Sequence, residues 1–365
     1  MKNAAKLEKD NHVGRLFFIG IPGPEVDKDT ENLLREIKPG GICLFARNIR
    51  SAEQTRNLTD SLRELLGDNL LISIDQEGGL VDRLRRILEP MPAAGSIKSA
   101  EQATRHGQLI GRALRLLGIN VDFAPVVDVI DDERSSASNG LYSRNFGTSA
   151  QETTDLAKAF LAGLEVNGII GCLKHFPGLG ASRIDSHEDL PVVDIDRETL
   201  FRKDLYPYTQ LLGSGHRFMI MTAHCAYPKA GLQPDNPEGD ILPASLNPNV
   251  IGGLLRDEIG FTGVSITDDL EMGAITRNFG IGDACVRAVL AGQDMVAICA
   301  GTSAIRKGFQ AVIESLENGV IAKNRLAESL SRIDNLSAQI ARPMEFTLSA
   351  FSEISEEIRQ FKSEL

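Results

Sequence analysis

Eight short apolar runs, separated by stretches with helical spacing, constrain this chain more than any other feature. The runs fall at residues 13–21, 42–46, 70–74, 121–127, 169–176, 218–223, 264–267 and 295–299. Helical stretches lie at 29–38, 51–66, 100–117, 149–167, 197–212, 249–259, 282–291 and 302–318. Strands that alternate with helices build a parallel sheet, because each helical crossover returns the chain in the same direction. Eight such units in 365 residues fit a closed (β/α)8 barrel of the TIM type, a single α/β domain, better than an open sheet. The expected organisation is an N-terminal extension over 1–12, the barrel over 13–335 and a helical tail over 336–365.

In such a barrel the chemistry sits at the C-terminal ends of the strands and in the loops after them. Ionisable residues follow the apolar runs where that rule wants them. Asp75 follows the third run and Asp128 the fourth. Lys174 and His175 end the fifth, His224 the sixth, and Asp268 with Asp269 the seventh. Adjacent strand residues point to opposite faces, so one aspartate of the last pair is expected in the site and the other on backbone hydrogen bonds. The same alternation separates Lys174 from His175, unless the strand end twists. Asn120, Asp122, Asp128 and Asp294 read as structural groups that satisfy loop backbone.

The stretch from Gly171 to Pro191 carries the most chemistry. After Lys174 and His175, the residues Pro177, Gly178 and Gly180 break regular structure. The loop then presents Asp185 and His187, two residues apart. Histidine titrates near neutral pH, and a neighbouring carboxylate orients its ring and stabilises its protonated form. A second stretch runs from Asp75 to Arg83 through Gln76, Glu77, Gly78 and Gly79. A carboxylate there can accept two hydrogen bonds from neighbouring hydroxyls of a ligand, with Arg83 donating; the alternative is a purely structural Asp75–Arg83 pair.

Composition removes several function classes. A net charge of −11 disfavours nucleic acid and anionic membrane surfaces as partners. No apolar run approaches the roughly 18 residues of a membrane span, and the first ten residues lack the apolar core of a signal peptide. Cys43, Cys172, Cys225, Cys285 and Cys299 are scattered and odd in number, as expected for buried, reduced thiols in a cytoplasmic protein.

The order Lys174-His175-Phe176-Pro177-Gly178, then Gly180, Asp185-Ser186-His187 and Leu190-Pro191, resembles glycoside hydrolase family 3. Within that family it is most similar to the single-domain β-N-acetylglucosaminidases of bacterial cell-wall recycling. Asp75-Gln76-Glu77-Gly78-Gly79, Ser143-Arg144-Asn145-Phe146-Gly147 and Thr267-Asp268-Asp269-Leu270 resemble other family stretches, over roughly residues 13–335. Leu80 and Leu179 stand where the family has Arg and His. The resemblance implies that Asp268 is the nucleophile of a retaining glycosidase and that His187, oriented by Asp185, is its acid and base. It implies that Asp75, Arg83, Arg144, Lys174 and His175 hold the terminal sugar. The histidine loop, absent from the family's multidomain β-glucosidases, favours terminal β-linked N-acetylglucosamine. Peptidoglycan fragments, as small carbohydrates or muropeptides, are then the expected substrates. The resemblance implies no cofactor and no metal, and a monomer or weak oligomer. Two alternatives stay open: a phosphorylase using phosphate in place of water, and a sugar-binding relative without catalysis.

Overall fold

The computed structural model describes residues 12–135, 141, 143–182, 190–233 and 241–365. Eight parallel strands form the centre: β1 (Phe17–Gly20), β2 (Gly41–Leu44), β3 (Leu71–Ile74), β4 (Val121–Asp122), β5 (Gly171–Phe176), β6 (Phe218–Thr222), β7 (Ser265–Asp269) and β8 (Met295–Ile298). Their order in the sheet is β4-β3-β2-β1-β8-β7-β6-β5. Bridges from Val121 to Ile170 and from Val126 to Lys174 join the two ends, so the sheet closes as a nearly complete barrel. Each strand from β1 to β6 is buried along its whole length, which is why the runs read as mainly apolar.

The helices are α1 (Lys28–Ile37), α2 (Ala52–Leu66), α3 (Ala100–Leu116), α4 (Ala150–Glu165), α5 over 197–212, α6 (Asn249–Glu258), α7 (Ile281–Ala291), α8 (Thr302–Glu317), α9 (Lys323–Ser337) and α10 (Leu348–Ser363). Ser51, Ser99 and Ser149 cap α2, α3 and α4, each accepting the backbone N–H three residues on. Side chains inside the barrel, among them Phe18, Phe123, Cys172, Met219, Ile266 and Met295, make one apolar core. The larger core lies between the strands and the ring of helices. All five cysteines are free and buried.

Three expected boundaries move. Residue 13 belongs to a helical turn, closed by the Leu16 N–H on the Val13 carbonyl, and the strand starts only at Phe17. β4 ends at Asp122 because Pro125 has no N–H to offer a ladder; the chain beyond it still accepts the Cys172 and Lys174 N–H groups at 2.8 and 3.3 Å. β7 runs two residues past its apolar stretch and carries both Asp268 and Asp269 within the strand. The tail is docked: Phe351, Ile354, Ile358 and Phe361 recur at helical spacing and are buried.

Candidate active site

A short hairpin, Gln76–Gly78 paired with Val81–Asp82, follows β3 and starts the site. Gln76 braces it by donating to Asp82 Oδ1 at 2.8 Å and accepting the Leu84 N–H at 3.1 Å. Gly78 holds φ at +88°, and a β-carbon there would sit 2.1 Å from the Pro92 carbonyl oxygen, so the turn requires glycine. The hairpin thereby aims Asp75 and Glu77 at the end of β5. Lys174 Nζ meets Asp75 Oδ1 at 2.6 Å and Glu77 Oε1 at 2.7 Å. Arg144 grips Glu77 with two bonds, Nε to Oε2 at 2.8 Å and Nη2 to Oε1 at 2.9 Å. Arg83 approaches Asp75 Oδ2 only to 3.8 Å. Burial opposes the Glu77 charge, but Lys174 and Arg144 overcome it and hold the carboxyl at about 2. Burial likewise opposes the Lys174 charge, and Asp75 with Glu77 reverses that, raising its pKa.

Lys174 and His175 both line the same cavity, although neighbours in a regular strand would diverge. The register of β5 on β6 shifts between Leu173 and Phe176, and an irregularity of this kind re-aims side chains. Asp128 fixes His175. It accepts the backbone N–H at 3.2 Å and meets the ring Nδ1 at 2.7 Å. With Nδ1 held by Asp128, Nε2 is the ring nitrogen left for the cavity. Asp128 also accepts the Leu179 N–H at 2.6 Å, so the backbone at that position supports the site whatever its side chain. Gly178, at φ +135°, permits the turn; a β-carbon there would lie 2.5 Å from Asp204 Cβ.

Asp268 closes the arrangement from β7. Its Oδ1 accepts the Asp269 N–H at 2.8 Å, and among the described residues its Oδ2 takes no hydrogen bond. Burial pushes its pKa up, but His175, His224, the Asp269 N–H and Lys174 outweigh that and hold it below the usual carboxylate range. Asp269 borders the cavity too, yet its Oδ1 is occupied by the N–H groups of Glu271 and Cys299 at 3.0 and 3.2 Å. Burial raises its pKa to about 7, with the Glu271 N–H opposing. His224 lies behind them, fully buried between Ser245 Oγ at 2.7 Å and the Asp269 carbonyl at 3.0 Å. It supports the end of β7 and does not line the cavity.

The cavity measures about 480 Å³ and brings together Asp75, Arg83, Arg144, Lys174, His175 and Asp268. Asp185 and His187 lie outside the described residues. Leu179 lines the cavity, whereas Leu80 is 61% exposed at the hairpin turn. Two participants escaped the sequence reading as site residues. Glu77 sits in a motif already singled out, but its partners come from elsewhere in the chain, Lys174 from β5 and Arg144 from a loop. Asp128 satisfies loop backbone as expected and additionally orients His175. An ionised carboxylate with a free oxygen, faced by braced Asp, Lys, Arg and His groups, suits a small polyhydroxylated ligand and an attack by that oxygen. A larger groove of about 710 Å³ between α1 and α2, lined by Glu31, Arg35, Gln54 and Glu64, gathers no comparable constellation. Among the described residues no group of three or more His, Cys, Asp or Glu is placed to hold a metal ion, and no helix is long and apolar enough to cross a membrane.

The profile of the family described as Glycosyl hydrolase family 3 N terminal domain matches residues 9–336. The chain is 33% identical over 337 residues to Beta-hexosaminidase A of Pseudoalteromonas piscicida, covering 86% of this chain but only 55% of that protein. It therefore spans about half the length of that relative. It is 31% identical over 310 residues to the Beta-hexosaminidase of Psychromonas ingrahamii, covering 83% of this chain and 87% of that one. The solved glycoside hydrolase family 3 β-N-acetylglucosaminidase from Paenibacillus sp. superposes with a TM-score of 0.85 at 33% identity, over 96% of this chain and 68% of that one.

Proposed function

The chain belongs to glycosyl hydrolase family 3, and on that premise we propose that it is a retaining β-N-acetylhexosaminidase that removes terminal β-linked N-acetylglucosamine. The activity printed for the similar proteins supports the substrate class. The observation that carries the mechanism is the unengaged Oδ2 of an ionised Asp268 at the cavity wall. In this reading Oδ2 attacks the anomeric carbon while His187, oriented by Asp185, gives its proton to the leaving oxygen. A covalent glycosyl-aspartate forms. His187 then takes a proton from water, which attacks the same carbon, and the sugar leaves with its β configuration retained.

Asp75, Lys174, Arg144 and His175 Nε2 serve as hydroxyl partners for the terminal sugar, and Glu77 braces Lys174 and Arg144 from behind. Because each group is already braced, little side-chain freedom is lost on binding. The natural substrates in this reading are peptidoglycan fragments met in the cytoplasm. Release of the chromophore from an aryl N-acetyl-β-glucosaminide tests the assignment, with the aryl β-glucoside beside it. Turnover of the first alone is expected; turnover of the glucoside alone would move the specificity to another sugar. Inorganic phosphate is expected to leave rate and product unchanged, and a sugar 1-phosphate among the products would replace hydrolysis by phosphorolysis.

A further inference from the structure

The tail helix α10 lies beyond the matched family region of 9–336, yet it is built into the back of the site. Two lines of contact lead from it to the Glu77–Arg144 pair. The first runs through Glu89. Its backbone N–H donates to Ser355 Oγ at 3.2 Å, and its carboxylate accepts Lys362 Nζ at 2.6 Å and Arg359 Nε at 3.3 Å. Two residues on, Met91 holds the second arm of the hairpin and its turn. Its N–H donates to Asp82 Oδ2 at 2.8 Å, and its carbonyl accepts the Gly79 N–H at 3.0 Å. Asp82 in turn holds Gln76, the neighbour of Glu77.

The second line runs through His106, fully buried on α3, whose ring nitrogens find no hydrogen-bond partner among the described residues. Phe361 packs on its ring at 6.2 Å between centroids, and Phe146, two residues from Arg144, at 6.4 Å. A β-carbon on Gly78 would lie 3.2 Å from His106 Nε2, so the hairpin rests directly on this ring. Both partners of the Glu77–Arg144 pair therefore stand on residues that α10 presses into place.

We propose that α10 is a positioning element for the sugar-holding cluster, acting through Glu89–Met91 on the hairpin and through Phe361–His106 on the Arg144 loop. Removing either support lets Glu77 and Arg144 drift, and misplacement of a binding group weakens the hold on substrate before it slows the bond-breaking step. The kinetic half of this proposal rests on the hexosaminidase reading; the mechanical half does not.

The test compares Phe361→Ala, Phe361→Leu and Ser355→Ala with Glu357→Gln. The last loosens the Arg112–Glu357 pair, which docks the same helix on α3 through neither Glu89 nor the His106 ring. Phe361→Ala and Ser355→Ala are expected to raise KM for the aryl N-acetyl-β-glucosaminide by roughly fivefold with a smaller change in kcat. Phe361→Leu should recover much of the loss, and Glu357→Gln should lower Tm without moving KM. Hydrogen exchange should quicken at residues 76–92 and 143–147 in Phe361→Ala and stay unchanged along β7. A lower Tm with wild-type KM in Phe361→Ala and Ser355→Ala would overturn the proposal. Should the wild type fail to turn over the aryl sugar, the hexosaminidase reading falls. Exchange then decides alone, and unchanged protection at 76–92 in both variants overturns the positioning role. Ser355→Ala, a half-buried change, keeps the comparison readable if Phe361→Ala does not fold.

Discussion

Asp294 at the bottom of the barrel and Asp268 at its top are both aspartates at strand ends, and both have cationic groups nearby. They differ in what their oxygens are free to do. Asp294 Oδ1 accepts Arg325, Arg332 and Ser329 at 2.9, 3.0 and 3.0 Å, and its Oδ2 accepts Arg256 and the Ser265 N–H at 2.6 and 3.0 Å. It is fully buried, and its hydrogen-bonding capacity is used up. Asp268 spends one oxygen on a backbone N–H and presents the other to a cavity. A cluster of buried charges is therefore not by itself a site. The bottom cluster ties α6 and α9 to β7 and β8, while the top one keeps an acceptor in reserve. The price of Asp294 is the desolvation of four charged groups, which hydrogen bonds on both oxygens offset.

The comparison predicts opposite phenotypes. Asp268→Ala should cost about ten-thousandfold in kcat with Tm close to wild type. A large drop in Tm would place Asp268 with the structural aspartates instead. Asp294→Asn should do the reverse. Leaving three arginines around a neutral amide is expected to cost about 3 kcal/mol or more of stability, read by urea unfolding, with KM unchanged in the folded fraction. Glu77→Gln falls between them, since Glu77 is buried like Asp294 but holds Lys174 and Arg144, which line the cavity. It should raise KM about tenfold and also lower stability. An effect on stability alone would move Glu77 to the closed class.

The smallest effect lies in the packing behind the open cluster and appears as a pH slope. His106 is held neutral by burial, its pKa lowered from 6.5 to about 3. The unfolded chain binds that proton first, so the contribution is complete above about 6.5 and is lost as pH falls toward about 3. Glu77, lowered from 4.5 to about 2, contributes fully above 4.5 and loses its contribution only below that. Between pH 6.5 and 4.5 the two separate. His106→Leu should flatten the stability profile in that window, and Glu77→Gln should leave its slope intact. An unchanged slope in His106→Leu would remove His106 as its source.

The barrel was legible because its strands are almost wholly buried and so read as eight mainly apolar runs. Asp75, Lys174, His175 and Asp268 were legible because each is an ionisable residue that ends such a run. Glu77 was not, since a three-residue strand in a tight hairpin has no readable period and its partners lie 67 and 97 residues away in the chain. The side-by-side placement of Lys174 and His175 was hidden for a similar reason, because a register shift in β5 follows from pairing with β6 and not from local sequence. The tail shows the same limit. Its apolar spacing at Phe351, Ile354, Ile358 and Phe361 announces an amphipathic helix, but nothing local reveals that it seats behind the hairpin.

The central claim is that Asp268 Oδ2 is the atom that attacks the sugar. Azide offered to Asp268→Ala with the aryl N-acetyl-β-glucosaminide tests it most directly, because the small anion fits where the carboxylate was removed. Restored chromophore release, with an α-configured sugar azide as the product by NMR, is the predicted result. Wild-type turnover by Asp268→Ala without azide, still giving the β-configured free sugar first, would contradict the account.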